Sequence, residues 1–452
     1  MKRFVLMIAP FNTRSGYGDH ARSIFYSIMD RDDLDIKCID VKWGNTPRNH
    51  LNPKVPRHKK LLDTFVDGNN IKTQPDVLID IRIPNEFADG AKVNVGITAG
   101  VETDVVSPEF LAGMNKMDLN IVPSKFTAAT FKKCNYDKME EVGGGQKQKV
   151  GEVSLQKPIK VLFEGVDTDI YYPREKHEMK SNFTDELDEL IKEDFAYLHV
   201  GQWGKGGYNE DRKNIPLLIK NFIKAFSNRP NSPALVLKVN GANFSILDKH
   251  DITSRINKIK DEFSQVDSIP NIYLIHGDLT SEEMSILYNH PNIKAFITCT
   301  HGEGYGRPMA EATCCDLPVI APKWSGHMDF LTDSESLFIN GFMKEVPKSQ
   351  LWNPIIVKPS KWFDVNEADV VRKIRMFHKK HKLITKKAKR LGKKNRRDLS
   401  LKAMAVEFNK IMDDIFKQIP SPVSLKLPKL KKVDSQDSKP AKVKLPKLKK
   451  VT

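Results

Sequence analysis

Apolar positions along this chain fall into short runs separated by polar, glycine-marked turns and by longer stretches with a helical repeat. Residues 4–10, 77–81, 93–98, 196–200, 234–239, 272–275, 295–300 and 317–322 are runs of strand length. Ala21, Ile24, Phe25 and Ile28, and later Ile215, Leu218, Ile219, Phe222, Ile223 and Phe226, recur at three- and four-residue intervals and so line one face of a helix. Residues 252–263 and 281–289 read as two more helices. Strand, turn and helix in repeated succession predict an α/β fold with parallel sheets. From Asp364 onward the pattern is helical. There Leu401, Met404, Ala405, Phe408, Ile411, Met412 and Ile415 form an apolar stripe that must pack against something. Residues 143–151 (GGGQKQKVG) read as a flexible surface loop, and residues 183–194 as an acidic surface linker.

Strand-to-helix turns carry the chemistry, two of them glycine-rich. In the later one, residues 295–331, Gly302, Gly304 and Gly306 lie between two apolar runs, and Pro308 stands where the first turn of a helix accepts proline. A glycine loop feeding a helix start aims free N–H groups and the helix dipole at one spot, suited to a phosphate or a polyhydroxyl ligand. Glu303 and Glu311 flank that spot with seven residues between them, and a carboxylate accepts two hydrogen bonds from a vicinal diol. In the earlier turn, Gly16 and Gly18 precede the first helical pattern. Arg212 and Lys213 sit at the start of another helix, where two cations beside the positive end of the dipole call for an anion.

The segment EGYGRPMAE, residues 303–311, with Ala312, Pro318, Val319, Ile320 and Gly326 after it, resembles the E-x7-E signature of retaining glycosyltransferases of family 4. The resemblance extends over most of residues 1–415. It implies a GT-B fold, in which two Rossmann-like domains face each other across a cleft. The expected parts are an N-terminal acceptor domain over residues 1–172, a linker over 173–194 and a nucleotide-sugar domain over 195–360. C-terminal helices follow over 361–417, the last crossing back to the first domain, and residues 418–452 form a disordered basic tail. By the same resemblance Glu311 would hold the ribose of the donor and Glu303 its sugar hydroxyls. The N–H groups of Gly304, Tyr305 and Gly306, together with Gly16 and Gly18, would face the donor, while Arg212 and Lys213 would neutralise the leaving diphosphate. Many relatives carry histidine near the acceptor, where this chain has Thr98 and Glu102. Asp316 replaces a usual glycine and Arg307 a usual aliphatic residue, and either would narrow the choice of donor. The implied reaction is sugar transfer from a nucleotide diphosphate sugar to an unidentified acceptor, without metal or other cofactor.

Two patterns invite a metal reading. Asp167-Thr168-Asp169 matches the DxD tripeptide of metal-dependent glycosyltransferases of another fold, but its neighbours Gly165 and Val166 fit the interdomain linker of GT-B enzymes better. Cys299, His301, Cys314 and Cys315 lack the spacing of a zinc site. His327 and Asp329, after Gly326, face the cleft, the core or the surface.

The 452 residues exceed one ordinary core, and 40% hydrophobic composition is enough for two or three. No apolar run approaches the roughly 20 residues of a membrane span. Five cysteines in so long a chain make no disulfide framework, which points to a reducing cytoplasm. The net charge of +16 is uneven: residues 372–397 hold fourteen Lys or Arg and no acid, residues 418–452 hold ten Lys and two Asp, and residues 1–371 sum to −5. A basic stretch such as 372–397 is usually a solvated face. In the tail, KLPKLKKV occurs at 426–433 and again at 444–451, a repeat suited to nucleic acid or an acidic partner. The tail and the overall style of the chain suggest a bacteriophage protein working in the host cytoplasm. Two other functions fit the same residues: glycosylation of a hydroxylated DNA base with the tail as anchor, and a catalytically silent GT-B scaffold that binds through its tail.

Overall fold

The computed structural model describes residues 2–141, 147–241 and 243–420; the expected basic tail beyond 420, with both copies of its repeat, lies outside them. The chain builds two parallel α/β domains in turn. The first contains β1 (Arg3–Ala9), α1 (Gly16–Ile28), β2 (Leu34–Asp40), α2 (Pro56–Leu62), β3 (Val77–Ile81) and β4 (Val93–Ile97). It continues with α3 (Pro108–Met114), β5 (Leu119–Val122), α4 (Lys125–Lys133), β6 (Asn135–Glu141), β7 (Lys147–Ser154) and β8 (Ile159–Val161). Its sheet runs in the order β2-β1-β3-β4-β5-β8, every pair parallel.

After α5 (Asn182–Leu190), the second domain contains β9 (Ala196–Gln202), α6 (Ile215–Phe226), β10 (Ala234–Asn240), α7 (Ile246–Asp261), β11 (Ile272–Ile275), α8 (Ser281–Asn289) and β12 (Ile293–Ile297). Then come α9 (Arg307–Cys314), β13 (Val319–Pro322), β14 (Leu337–Ile339), β15 (Gly341–Glu345), β16 (Lys361–Val365), α10 (Glu367–Asp398) and α11 (Leu401–Gln418). The sheet order is β11-β10-β9-β12-β13-β14, again all parallel. Every residue of β3, β5 and β13 is buried, as expected of parallel strands covered on both faces.

The apolar stripe of α11 finds its partner in the first domain, where Met404, Phe408, Ile411, Met412 and Ile415 join the core of β1, β3 and α1. The two crossing points between the domains touch: Val166 N–H donates to Leu399 O and Leu401 N–H to Val166 O, both at 2.8 Å. Among the described residues, no helix is long and apolar enough to cross a membrane.

Four local expectations are corrected. Residues 147–151 belong to β7, which pairs antiparallel with β6; only the tip, 142–146, lies outside the described residues. Much of the stretch from 183 to 194 is helix α5, capped by Ser181 and anchored by the buried Leu187. Helix α7 begins six residues ahead of its apolar stripe because the Ser245 side chain caps it, although Ile246 and Leu247 are exposed. Asp364 lies in β16, paired with β15, and the helical stretch starts at Glu367.

Candidate active site

The loop between β9 and α6 is folded around Asp211, whose carboxylate accepts the N–H of Gly204 at 2.9 Å and of Ile215 at 3.2 Å. That tether brings Arg212 and Lys213 to the loop after β12. Lys213 Nζ donates to Glu303 Oε1 at 2.5 Å. Arg212 Nη1 donates to Gly302 O at 3.0 Å and to Glu303 Oε2 at 3.4 Å, and Arg212 O accepts from His301 N–H at 2.8 Å. The anion expected beside these two cations is thus already present, and it is Glu303.

Burial alone would raise the Glu303 carboxyl, but the charges of Lys213 and Arg212 outweigh it and hold the group at about 2. For Lys213 burial favours the neutral amine and Glu303 opposes it. At 2.5 Å the pair is carboxylate and ammonium at neutral pH. The second glutamate differs. Glu311, also buried, accepts from Arg307 Nε at 3.1 Å and Tyr288 Oη at 3.3 Å, and burial, only partly offset by Arg307, lifts it to about 7. Two carboxylates of one short segment therefore stand in different protonation regimes, one pinned as an anion and one poised near neutrality.

The first domain closes over this loop. Ser124 Oγ donates to Gly304 O at 2.6 Å, Lys125 N–H to Asp329 Oδ2 at 2.8 Å, and Phe126 meets Trp324 edge-on at 4.8 Å between ring centroids. Glu102 Oε1 lies 3.8 Å from Arg212 Nε, and Thr98 Oγ1 is 2.8 Å from Tyr17 Oη. Gly304 is required by this closeness, because a Cβ there would stand 2.2 Å from Ala99 O; Gly306, at φ +99°, is required by the backbone itself.

Glu303, Arg212, Lys213 and Glu102 therefore converge, with Glu311 on the helix that follows. The ring of Tyr305 is buried in the core of the second domain, 5.1 Å from that of Phe330, so its side chain is not among them. Gly16 and Gly18 lie inside the first turn of α1, one step later than expected, because Ser15 caps the helix by accepting Gly18 N–H at 3.1 Å. Asp316 and Arg396 are paired at the far end of α9, so Asp316 does not face the donor loop. Asp167 and Asp169 are taken up by Arg57 at 2.8 Å and Lys402 at 3.2 Å. His327 is core, its Nε2 at 2.7 Å from Pro322 O. The five cysteines are buried and unbridged, and no metal-binding group of three His, Cys, Asp or Glu side chains is found among the described residues.

Sequence reasoning missed several residues around the cleft. Buried Arg22 ties the β1–α1 loop by donating to Phe11 O at 2.6 Å and Thr13 O at 3.0 Å; its i, i+3 relation to Asp19 was the available signal. Glu164, lifted to about 7 chiefly by burial, carried no signal at all. Arg22, His50, Arg57, Tyr171 and Arg307 line an interdomain cavity of about 50 Å³.

No protein-family model and no curated protein matches the chain. Solved structures do. Sucrose-phosphate synthase from Thermosynechococcus elongatus aligns with a TM-score of 0.60 at 11% identity, over 92% of this chain and 100% of that one. A glycosyltransferase from Rickettsia africae gives 0.59 at 14% identity, over 92% and 99%. Anabaena HepE, in complex with UDP and glucose, gives 0.57 at 12% identity, over 91% and 100%. The chain has the GT-B fold. In this GT-B chain the loops after β1, β4, β9 and β12 leave the carboxyl ends of their strands, the edge at which open α/β sheets bind ligands. Glu303 and its two cations sit on that edge.

Proposed function

We propose that this chain is a retaining glycosyltransferase that moves a sugar from a nucleotide diphosphate sugar to an acceptor. The observation that carries the reading is the buried Glu303 carboxylate held between Lys213 and Arg212 at the mouth of the second sheet, with Arg212 also 3.8 Å from Glu102 of the first domain. The structural likeness to HepE, a protein solved with UDP and glucose, supports the same substrate class.

In this reading an arriving donor displaces an existing ion pair. The diphosphate takes over Lys213 and Arg212, which releases Glu303 to accept hydrogen bonds from the sugar hydroxyls, and Glu311 accepts those of the ribose. The bond between the anomeric carbon and the diphosphate oxygen breaks as the acceptor oxygen attacks from the same face. The acceptor proton passes to the departing phosphate oxygen, and the charge that gathers on the diphosphate is stabilised by groups already in place. Arg212 and Lys213 supply the positive charge, so no metal or other cofactor is part of the reading.

A panel of UDP-, GDP-, ADP- and dTDP-sugars tested by thermal shift and product assay examines this directly, since a bound donor raises the melting temperature by mass action. One donor should shift the melt and be consumed, with the anomeric configuration retained by NMR, and Glu311→Ala should abolish both effects. A panel in which no donor binds or turns over would overturn the reading.

A further inference from the structure

Helix α10 runs over 32 residues with a kink at Lys380, whose φ of −115° is not helical, and presents two unlike faces. Val370, Ile374, Phe377, Ile384, Ala388 and Leu391 are buried against the second domain. On the outer side Lys379, Lys382, Lys386, Lys389, Arg390, Lys393, Lys394 and Arg397 are exposed. At 3.6 residues per turn, Lys382, Lys386, Lys389, Lys393 and Arg397 stack one above another as a straight row. With about 1.5 Å of rise per residue, the row carries a positive charge about every 5 Å for about 22 Å.

Ion pairs relieve the arginines of this face but not its lysines. Arg372, Arg390, Arg396 and Arg397 have carboxylate partners, in Asp369, Glu335, Asp316 and Asp398. Among the described residues no carboxylate lies within 4.0 Å of Lys379, Lys382, Lys386, Lys389, Lys393 or Lys394. The charge is also segregated, since residues 1–371 are net acidic. Like charges at i, i+4 repel, so an unrelieved row costs stability unless a polyanion lies on it.

We propose that the outer face of α10 binds the phosphate backbone of nucleic acid without regard to sequence. A linear polyanion fits a linear row of cations, and duplex DNA carries one phosphate charge about every 1.7 Å of its axis. A lipid surface fits less well. Interfacial helices insert an apolar face between headgroups, and here the apolar face is buried in the domain, leaving only Leu383 exposed among the lysines. This inference does not rest on the proposed glycosyl transfer.

The test uses the full chain and a 30-base-pair duplex of arbitrary sequence, with binding followed by fluorescence anisotropy between about 50 and 300 mM salt. Each phosphate contact contributes about 0.9 to the slope of log K against log salt. The fourfold variant Lys382→Gln, Lys386→Gln, Lys389→Gln, Lys393→Gln should therefore bind at least about tenfold more weakly, with a slope shallower by about 3.6. The corresponding fourfold Lys→Arg variant should keep the parent slope, and Lys→Gln changes at Lys426, Lys429, Lys444 and Lys447 measure the share of the tail separately. A parent slope in the α10 glutamine variant overturns the proposal. So does binding to vesicles rich in phosphatidylserine without binding to the duplex, which would make the partner a lipid surface.

Discussion

The hydroxyl of Ser124, at the start of α4 in the first domain, donates to the carbonyl of Gly304 in the loop of the second domain. Both residues are buried, and the same Oγ caps α4 by accepting the N–H of Thr127 at 3.2 Å. One small side chain thus starts a helix and fastens the domains together over Glu303. Ser124→Ala leaves the Gly304 carbonyl with only the long 3.4 Å bond from Thr127 and removes the cap. Loss of a cap together with a buried hydrogen bond should cost about 2 kcal/mol in urea unfolding. Ser124→Thr, which retains the hydroxyl, should recover most of it.

The pair of Lys213 and Glu303 is the costliest to break from one side. Removing Glu303 leaves the buried Lys213 ammonium uncompensated, a loss of about 3 to 5 kcal/mol, whereas removing Lys213 leaves Glu303 with Arg212 at 3.4 Å and costs less. Glu303→Gln should approach that figure by denaturant titration, and Lys213→Met should fall short of it. The double variant should lose clearly less than the sum, because it leaves neither charge unpaired. The pair also sets an acid limit. The folded-state value of Glu303, about 2, lies below that of an unfolded glutamate. Its contribution is complete above about pH 4.5 and is lost as pH falls toward 2, so the acid limb of the parent stability profile should flatten in Glu303→Gln.

Glu303 and Glu311 were legible because their relation is local: a glycine loop, a proline and seven residues put both on one strand-to-helix turn. Arg212 and Lys213 were legible as cations in want of an anion. Their partner was not, because it lies 90 residues further along the chain and comes near only through the folding of the second sheet. Ser124, Arg22 and Glu164 are single polar residues with no repeat or spacing to mark them, and the contacts that give them meaning are tertiary. The β6–β7 hairpin was hidden for another reason. Most of β6 is exposed, and cross-strand charge pairs such as Lys149 with Asp137 support the hairpin, so no apolar alternation announced the strands. Many strands and helices of both domains were visible as runs and stripes, whereas β2, β5, β8, β14 and α2 to α4 were not, nor was the order of the strands in the sheets.

Glu311 and Glu164 should give the protein an alkaline liability. Burial is the main cause that lifts both to about 7, above the range of an unfolded glutamate. Between about pH 4.5 and 7 the folded state therefore binds more protons than the unfolded state. Their contribution to stability is full below that window and is lost as pH rises through 7. Melting temperatures measured from pH 5 to 8.5 should decline across the window, and Glu164→Gln should reduce the decline while raising the melt at pH 8. If Glu311 accepts ribose hydroxyls, ionisation helps it, so donor affinity should rise from pH 6 to 8 in the parent protein. That rise should be absent in Glu311→Gln.

Asp316 occupies the left-handed region, φ +60°, immediately after the last turn of α9, a position where glycine is at ease and a residue with a Cβ is strained by about 1 kcal/mol. The strain is offset from α10. Arg396 Nη1 donates to Asp316 Oδ1 at 2.6 Å and to Cys314 O at 2.7 Å, so one guanidinium holds both the side chain and the end of the helix. Substitutions separate the two effects. Asp316→Gly relieves the backbone and loses the ion pair, terms of similar size and opposite sign, and should change stability by less than about 0.5 kcal/mol. Asp316→Ala keeps the strain and loses the pair, and should cost about 1 to 2 kcal/mol. In an Arg396→Met background, Asp316→Gly should become stabilising, because only the backbone term is left. Thermal unfolding of the parent, the two Asp316 variants, Arg396→Met and its Asp316→Gly double variant decides it: a Gly variant as damaged as the Ala variant would mean that the strain is absent and Arg396 carries the whole effect.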